Sequence, residues 1–458
     1  MLYRFYLRPS QASNPGTLPA FLQSYECQFF SEIIAFSTGG GTMKMRGIRT
    51  FFRVFLRASA LLLITATSWS QTLIWLGVLP GYQRGTATDV SADGTVIIGF
   101  SYDPTISGNR RAFRWTRAEG IQDLGTLGGT QSAAYNISLD GTVVVGWAHN
   151  ADGYLRAFRW TPTQGMQDLG TLGGNESAAF GISADSTVIV GYAHNASGHL
   201  RAFRWTPTQG MQDLGTLGGN ESAAFGVSAD GTVIVGYAHN TNGHRRAFRW
   251  TQETGLQEIP NAFGGRESIC YSASANGTVV VGQARNASGD WRAFRWTPEE
   301  GVQDLGTPGL TWSWGQDVSA DGTVVVGYVY DRNEPLNRYI AFRWTQGMGA
   351  DNLSLSYGSL LTDGSLLIIA NALSPDGRYI VGEGYNATAQ RYMPFLLDTW
   401  RTGDTNGDGC IDDTDLLKVL FAFGTPGTGY TRHEDINKDG IVDDADLLIV
   451  LFHFDSGC

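Results

Sequence analysis

From residue 84 onward, short runs of apolar, β-branched and aromatic residues alternate with turn residues. One stretch reads SAAFGIS (177–183), TVIVGYA (187–193), RAFRWT (201–206) and MQDLGTL (211–217). Runs of this length bounded by Gly, Pro, Asn, Asp and Ser predict β-strands rather than helices. Most copies place Asp-Gly between the first two runs, the pair a tight hairpin prefers. Pro-x-x-Gly separates the last two at Pro162–Gly165, Pro207–Gly210 and Pro298–Gly301, with the proline presetting the turn. Four short strands in meander order are the predicted unit.

The unit repeats. RAFRW ends at Trp115, Trp160, Trp205, Trp250 and Trp296, and IAFRW at Trp344, in steps of 45 to 48 residues. A Ser-x-Asp-Gly turn or its variant marks seven units, at Ser91, Ser138, Ser183, Ser228, Ser274, Ser319 and Ser374. A four-stranded repeat of about 40–50 residues is the mark of a β-propeller blade. The ends of the array fit a closed ring. The last unit (ANALSPDG, YIVGEGY, MPFLLDTW) stops without a QDLG strand, and TLIWLGVLPG (72–81) resembles the missing piece. The expected fold is all-β, a seven-bladed propeller over residues 71–400 closed by an N-terminal strand. An open β-solenoid is the alternative.

The segment RAFRWTPTQGMQDLGTLGG occurs identically at Arg156–Gly174 and Arg201–Gly219. With its looser copies it resembles the HAF repeat of bacterial extracellular proteins. The resemblance covers residues 71 to about 400 and implies secretion and a repeat fold, but no defined activity.

Within the repeat, an Arg and an acidic residue lie nine apart across the Pro-x-x-Gly turn. The pairs are Arg114/Asp123, Arg159/Asp168, Arg204/Asp213, Arg249/Glu258 and Arg295/Asp304. They read either as a binding site or as a cross-strand ion pair recurring from blade to blade. Recurrence favours the brace, because a propeller normally has one site. His149, His194 and His239 share one repeat position but fall in three blades, which favours surface or hydrogen-bonding roles over a metal. Function is expected where the repeat deviates. Blade six carries Trp312 and Trp314 in place of SAAFG, then Tyr328 and Tyr330, and these four are the candidate platform for a sugar or aromatic ligand. No G-x-S-x-G, H-E-x-x-H or phosphate-binding loop occurs.

Charge and leader sequence place the protein. The formal net charge is −11, which argues against a nucleic-acid partner. Lys44, Arg46, Arg49, Arg53 and Arg57 precede a short apolar run at Ala58–Thr67, then Ser68-Trp69-Ser70. That is the layout of a secretory signal peptide over residues 43–70, so residues 1–42 are read as lying upstream of the true start at Met43 or Met45. The apolar run is too short to cross a bilayer comfortably, and no later one is longer. An exported chain can oxidise its cysteines, and Cys410 and Cys458 are expected to pair. Cys270 is expected to be a buried thiol, and Cys27 would be lost with the leader.

The last 55 residues are different in kind, with 12 acidic residues against 3 basic ones from Asp404 to Cys458. DTNGDGCIDDTD (404–415) and DINKDGIVDDAD (435–446) each place Asp, Asn and Asp at loop positions 1, 3 and 5 and Gly at 6. This is the pattern that wraps a backbone around Ca2+. The expected ligands of two ions are Asp404, Asn406, Asp408, the Cys410 carbonyl, Asp412 and Asp415. In the second loop they are Asp435, Asn437, Asp439, the Ile441 carbonyl, Asp443 and Asp446. Each loop leads into an apolar helix, LLKVLFAF or LLIVLFHF.

The duplication, the 31-residue offset and Asp at position 12 resemble type I dockerin repeats. The resemblance, confined to residues 401–458, implies an EF-hand-like helical domain that docks onto a protein partner such as a cohesin and commonly tethers polysaccharide-degrading enzymes. It departs from the family at positions 10 and 11, where Asp413-Thr414 and Asp444-Ala445 replace the familiar Ser/Thr-type pairs. That admits a cell-surface protein, or the chain's own propeller, as the docking surface. The expected function is therefore a secreted, calcium-binding adhesion or binding protein without catalysis. The alternative is a dockerin-tethered hydrolase or lyase on polysaccharide, with the propeller as catalytic or carbohydrate-binding domain.

Overall fold

The computed structural model describes residues 71–458 except 107–108, 307–311, 331–338, 401–402, 407–409, 426–432, 437–440 and 455–458. Residues 1–70, which hold the expected signal peptide and Cys27, lie outside the described residues, as do Asp408, Asn437, Asp439 and Cys458.

Seven four-stranded antiparallel sheets follow one another along the chain. Blades 1 to 6 span 84–123, 128–168, 173–213, 218–258, 264–304 and 312–352. In blade 3 the strands are A (Gly173–Ile182), B (Ile189–Asn195), C (Leu200–Thr206) and D (Gly210–Asp213). These are the four runs read from the sequence. Blade 7 has Leu366–Leu373, Tyr379–Asn386 and Arg391–Asp398, and Thr72–Trp75 adds its outer strand. That pairing runs from Thr72↔Asp398 to Trp75↔Phe395. The A strands touch one another around the whole ring, blade 7 against blade 1 included. The structure is thus the closed propeller and not the open solenoid. A short helix α1 (Leu353–Ser356), capped by the Asn352 side chain, links blades 6 and 7.

The core lies between blades. Phe113, Phe158, Phe203, Phe248 and Phe294, the phenylalanines of RAFRW, are all fully buried. Each packs among valines, isoleucines and alanines of its own and a neighbouring blade, as Phe248 does with Val188, Val190 and Ile234. Fully burying such a ring contributes about 2–3 kcal/mol. The repeated serine of the A strand locks the next joint. Ser177 Oγ accepts the Ala157 N–H (2.9 Å) and donates to the Gly170 carbonyl (2.6 Å).

The Asp-Gly turns form a second ring. In blade 4, Ser228 Oγ donates to Asp230 and accepts the Val233 N–H, while Gly231 takes the φ of +72° that the turn needs. Blade 3 has Ser186 there, at φ +62°. The N–H after the serine reaches the next blade at five joints, Ala92 to Leu139 among them. Ala184 donates to Ala229, Ala229 to Ala275, Ala275 to Ala320 and Ala320 to Pro375, at 2.8–3.0 Å. Pro375 has no N–H to pass on, and blade 7 joins blade 1 through the Asn371 side chain instead.

The Arg–acid braces are real, but a different arginine makes them. Phe158 is directly across from Asp168, and Arg159 is across from Gln167. Arg159 therefore points to the other face, and the diagonal neighbour on the Asp168 face is Arg156. The ion pairs are Arg111–Asp123 (3.3 Å), Arg156–Asp168 (3.0 Å), Arg201–Asp213 (3.0 Å), Arg246–Glu258 (2.6 Å) and Arg292–Asp304 (3.1 Å). The arginines assigned to them from the sequence reach elsewhere. Arg249 and Arg295 bond the carbonyls of Gly277 and Gly322 in the following blade's turn.

Beyond the ring, α2 (Asp413–Ala422) and α3 (Asp444–His453) share a small core of Ile411, Val419, Val442 and Val450. The segment before the second acidic loop touches blade 7. The His433 ring lies 4.4 Å from that of Trp400, and its Nε2 is 3.8 Å from Asp376 Oδ2.

Candidate functional site in the central channel

Each A strand carries a β-bulge near its inner end, between Ala179 and Gly181 in blade 3. A bulge sets two residues against one on the partner strand, and here both line the channel in every blade but the first, where only the first of the two does. In blades 1 to 7 the first of the two is Thr88, Tyr135, Phe180, Phe225, Tyr271, Gln316 and Asn371. The second is Asp89, Asn136, Gly181, Gly226, Ser272, Asp317 and Ala372. The channel is therefore two-sided. Blades 2 to 5 give an aromatic arc, with Tyr135–Phe180 at 4.9 Å, Phe180–Phe225 at 5.3 Å and Phe225–Tyr271 at 5.7 Å between ring centres. Blades 6, 7 and 1 give amides, hydroxyls and carboxylates. A cavity of about 440 Å³ lies between them.

Much of the polar side holds blades together. Asp89 accepts the N–H groups of Val90 (2.8 Å) and of Ile137 in blade 2 (2.9 Å). Asn136 accepts that of Ile182 in blade 3 (3.0 Å). Asp317 accepts Ser272 Oγ (2.6 Å), Val318 N–H (2.9 Å) and Leu373 N–H (3.0 Å). Asn371 Nδ2 donates to the Ala87 carbonyl (2.8 Å) and Thr86 Oγ1 (2.9 Å), bridging blade 7 to blade 1 where the ring of turns is interrupted. In blades 3 and 4 glycine takes the clasp position because the next strand comes too close. A Cβ on Gly226 would stand 2.7 Å from the Tyr271 carbonyl oxygen.

The carboxylates are electrostatically loaded. Burial, then the Asp317 carboxylate, push the Asp89 pKa well above the usual range, against the two N–H bonds that favour its charge. Enclosure also raises Asp317, opposed by Ser272 and the N–H groups of Leu373 and Val318. Glu383, on strand B of blade 7, lines the cavity, and its Oε1 accepts the Tyr102 hydroxyl at 3.0 Å. Burial lifts its pKa to about 7 despite Tyr102 and the Arg84 charge. An acid whose folded pKa exceeds its unfolded one stabilises the fold when protonated. That contribution is complete below about pH 4.5 and is lost as pH rises toward 7. Glu383→Gln removes the titration. Its unfolding free energy from urea titration should match the wild type near pH 4 and exceed it at pH 8 by up to about 3 kcal/mol. A difference that stays flat across this range would refute the assignment.

The four aromatics singled out in blade six do meet. Trp312 stacks on Tyr330 (5.6 Å) and Trp314 on Tyr328 (4.7 Å), with Tyr339 edge-on to Tyr328 at 5.7 Å. Their faces are turned largely to one another, and Trp312 Nε1 donates to Asp290 (3.1 Å). They widen the aromatic belt outside the channel. The sequence reading missed Thr88, Gln316, Asn371 and Glu383. Stacking the seven repeats column by column exposes them, because the residue after Gly in strand B is aromatic in five blades, Gln283 in blade 5 and Glu383 in blade 7. Two of the repeated histidines sit beside a glutamate of their own blade, His194–Glu176 and His239–Glu221, both at 3.9 Å. Cys270 is a buried free thiol whose pKa burial raises.

In the C-terminal segment the two loops are built alike. Asp415 and Asp446 at position 12 are fully buried. Asp415 Oδ1 accepts the N–H groups of Thr405 (2.7 Å) and Asn406 (3.1 Å), and Oδ2 accepts that of Asp412 (3.0 Å). Asp446 repeats this with Ile436 (2.7 Å) and Asp443 (3.0 Å). Asp412 and Asp443 cap their helices by accepting the N–H of Thr414 and Ala445. Asp404 and Asp435 at position 1 are buried too. The described donors are all hard oxygens, and a carboxylate oxygen already holding one N–H keeps a second lone pair. This donor chemistry fits Ca2+. Among the described residues no three acidic, His or Cys side chains converge on one point; three of the expected ligands fall outside that set. Cys410 is disulfide-bonded, and its expected partner Cys458 lies outside the described residues. Among the described residues no helix is long and apolar enough to cross a membrane.

No family model matches the chain, and no curated protein does. Solved structures do. TolB from Acinetobacter baumannii is 11% identical over 68% of this chain, with a TM-score of 0.42. The match takes in 65% of that protein, less than two thirds of its length. An oligogalacturonate lyase in complex with manganese is 13% identical, with a TM-score of 0.43 over 72% of this chain and 97% of that one. Hydrazine synthase of Kuenenia stuttgartiensis is 12% identical, with a TM-score of 0.40 over 69% and 95%. These likenesses go no further than the propeller architecture, which the sheet order establishes by itself.

Proposed function

We propose that the chain is an extracellular binding protein whose propeller holds a small ligand in the central channel and whose C-terminal segment is a calcium-dependent docking module. One observation carries the preference for binding over catalysis. The carboxylates of Asp89 and Asp317 are committed on both oxygens to N–H groups of their own and neighbouring blades, so they serve the ring rather than a reaction. Export is supported by the leader at 43–70 and by the oxidised Cys410.

Docking is supported by apolar side chains exposed in duplicate on the two helices. Leu420 and Phe421 of α2 correspond to Leu451 and Phe452 of α3, and the two phenylalanines are 85% and 62% exposed. The HAF-repeat and dockerin resemblances give the same picture, with a cohesin-like or cell-surface protein as the partner and a carbohydrate as one ligand class. In each loop the residues already named would hold one calcium ion, which would supply the charge that lets buried carboxylates stay ionised together.

Chelation is the direct test. Calcium at a hundredfold excess over Kd stabilises a site by about 2.7 kcal/mol. Removing it should melt α2 and α3 first, seen as a loss of helical circular dichroism ahead of an unchanged β-sheet transition. It should also abolish capture of a partner by the C-terminal module. A helix signal indifferent to chelator would refute the module's assignment. The second reading, an enzyme on polysaccharide, rests on Glu383, whose near-neutral pKa suits a general acid or base. It requires release of reducing ends or unsaturated sugars that Glu383→Gln abolishes.

A further inference from the structure

Resting on the reading of the channel as a ligand site, we propose that its ligand is an organic cation, with an ammonium group seated between the aromatic arc and the acids of blades 6 and 7. The lining has five aromatic rings, Phe100, Tyr135, Phe180, Phe225 and Tyr271, and two carboxylates, Asp317 and Glu383. No lysine, arginine or histidine is among the lining residues. Aromatic faces carry negative electrostatic potential and attract ammonium ions. Asp89 adds a third acid behind the wall, its pKa raised by burial and then by the Asp317 charge. The nearby arginines lie outside the lining, Arg84 over the Tyr392 ring at 4.1 Å and Arg110 over the Phe100 ring at 5.2 Å.

An anionic ligand would meet carboxyl groups and ring faces with no cationic side chain among the lining residues. A hard divalent ion wants six to eight oxygens at about 2.3–2.6 Å, and no cluster of three acidic, His or Cys side chains fit for a metal exists among the described residues. An ammonium ion needs neither, because it takes ring faces on one side and oxygens on the other. Behind the wall Gln283 fixes one of these rings, its buried side chain donating from Nε2 to the Tyr271 hydroxyl at 2.7 Å. The volume of about 440 Å³ admits a molecule the size of one or two sugar rings. The ammonium could therefore arrive as a small free amine or on an amino sugar.

The test is calorimetric titration of the full chain, with calcium present, against tetramethylammonium, glucosamine, glucose and glucuronate. Tetramethylammonium and glucosamine should bind, glucose at least about tenfold more weakly than glucosamine, and glucuronate not at all. Tighter binding of glucosamine than of tetramethylammonium identifies the amino sugar as the source, and the reverse a free amine. Glu383→Gln and Phe180→Leu should each weaken ammonium binding about tenfold, with the circular dichroism spectrum unchanged. Ammonium binding untouched by both substitutions overturns the proposal. If glucose or glucuronate binds as tightly as glucosamine and Phe180→Leu removes that binding, the charge assignment falls and the channel stands as the ligand site. If none of the four binds, both fall.

Discussion

A chain lacking residues 72–76 is expected to lose the folded propeller rather than one strand of it. Thr72–Trp75 contributes the outer strand of blade 7 through four residue pairs. Trp75 packs edge-on to Phe395 at 6.4 Å, and the buried Leu76 donates its N–H to the Pro394 carbonyl (3.0 Å). Leu73, Ile74, Trp75 and Leu76 pack into the cores on either side of blade 7. Leu76 is buried and the other three are half-buried, so at about 1–2 kcal/mol each their burial contributes about 4–8 kcal/mol, a large share of the whole stability of an ordinary domain. Truncation also bares Arg391–Asp398 as an apolar edge strand, which favours aggregation. The check is a thermal melt of the truncated chain with and without a synthetic peptide of residues 71–80. Loss of the cooperative transition, restored by the peptide, is expected. A truncated protein melting within a few degrees of the parent would sink the closure argument.

Gly236→Ala should be almost as damaging, although it adds one methyl group. Gly236 lies mid-strand in blade 4, and a Cβ there would stand 2.0 Å from the Ala223 carbonyl oxygen and 2.8 Å from the Ala224 Cα. Both obstacles are backbone of the bulged A strand, so the strand itself must move and break ladder hydrogen bonds. Overpacking of this kind, with several bonds lost, costs about 3–5 kcal/mol. Gly243→Ala is the control. It sits in a loop at φ +75° with nothing within 4 Å, and only backbone strain of about 1 kcal/mol is expected. Equal urea midpoints for the two variants would mean that the close approach is not what makes Gly236 a glycine.

The contrast between these two glycines also shows how far the sequence could be read. The repeat period, the seven turns and the likeness of TLIWLGVLPG to MQDLGTLGG were enough for the ring and its closure. These are linear patterns, and a propeller copies a linear pattern into space. The partner of Asp168 was not legible, since a one-residue error in hairpin register exchanges Arg159 for Arg156 and turns the side chain to the opposite face. The channel was hidden for a related reason. The bulge at Gly181 breaks the alternation of inward and outward residues, so strand periodicity would not place Asp317 or Asn371 on the inside. Trp312 and Trp314 drew attention because they are large. The deviations that shape the cavity are small polar substitutions, visible only when seven copies are compared.

The pairing of Thr72 with Asp398 also has a kinetic meaning. Among the described strands, the closing strand is synthesised before all the others, and its partner after all the others. Blades 1 to 6 can each assemble from strands adjacent in the chain, which is fast local pairing. Blade 7 can only finish by closing a loop of more than 300 residues, an entropic cost that grows slowly with length but must be met in one step. Until then the ring has two open edges, and its middle blades, nearly identical in sequence, offer those edges plausible wrong partners. The slow phase of refolding should therefore report the meeting of the two ends, and its yield should fall as chain concentration rises.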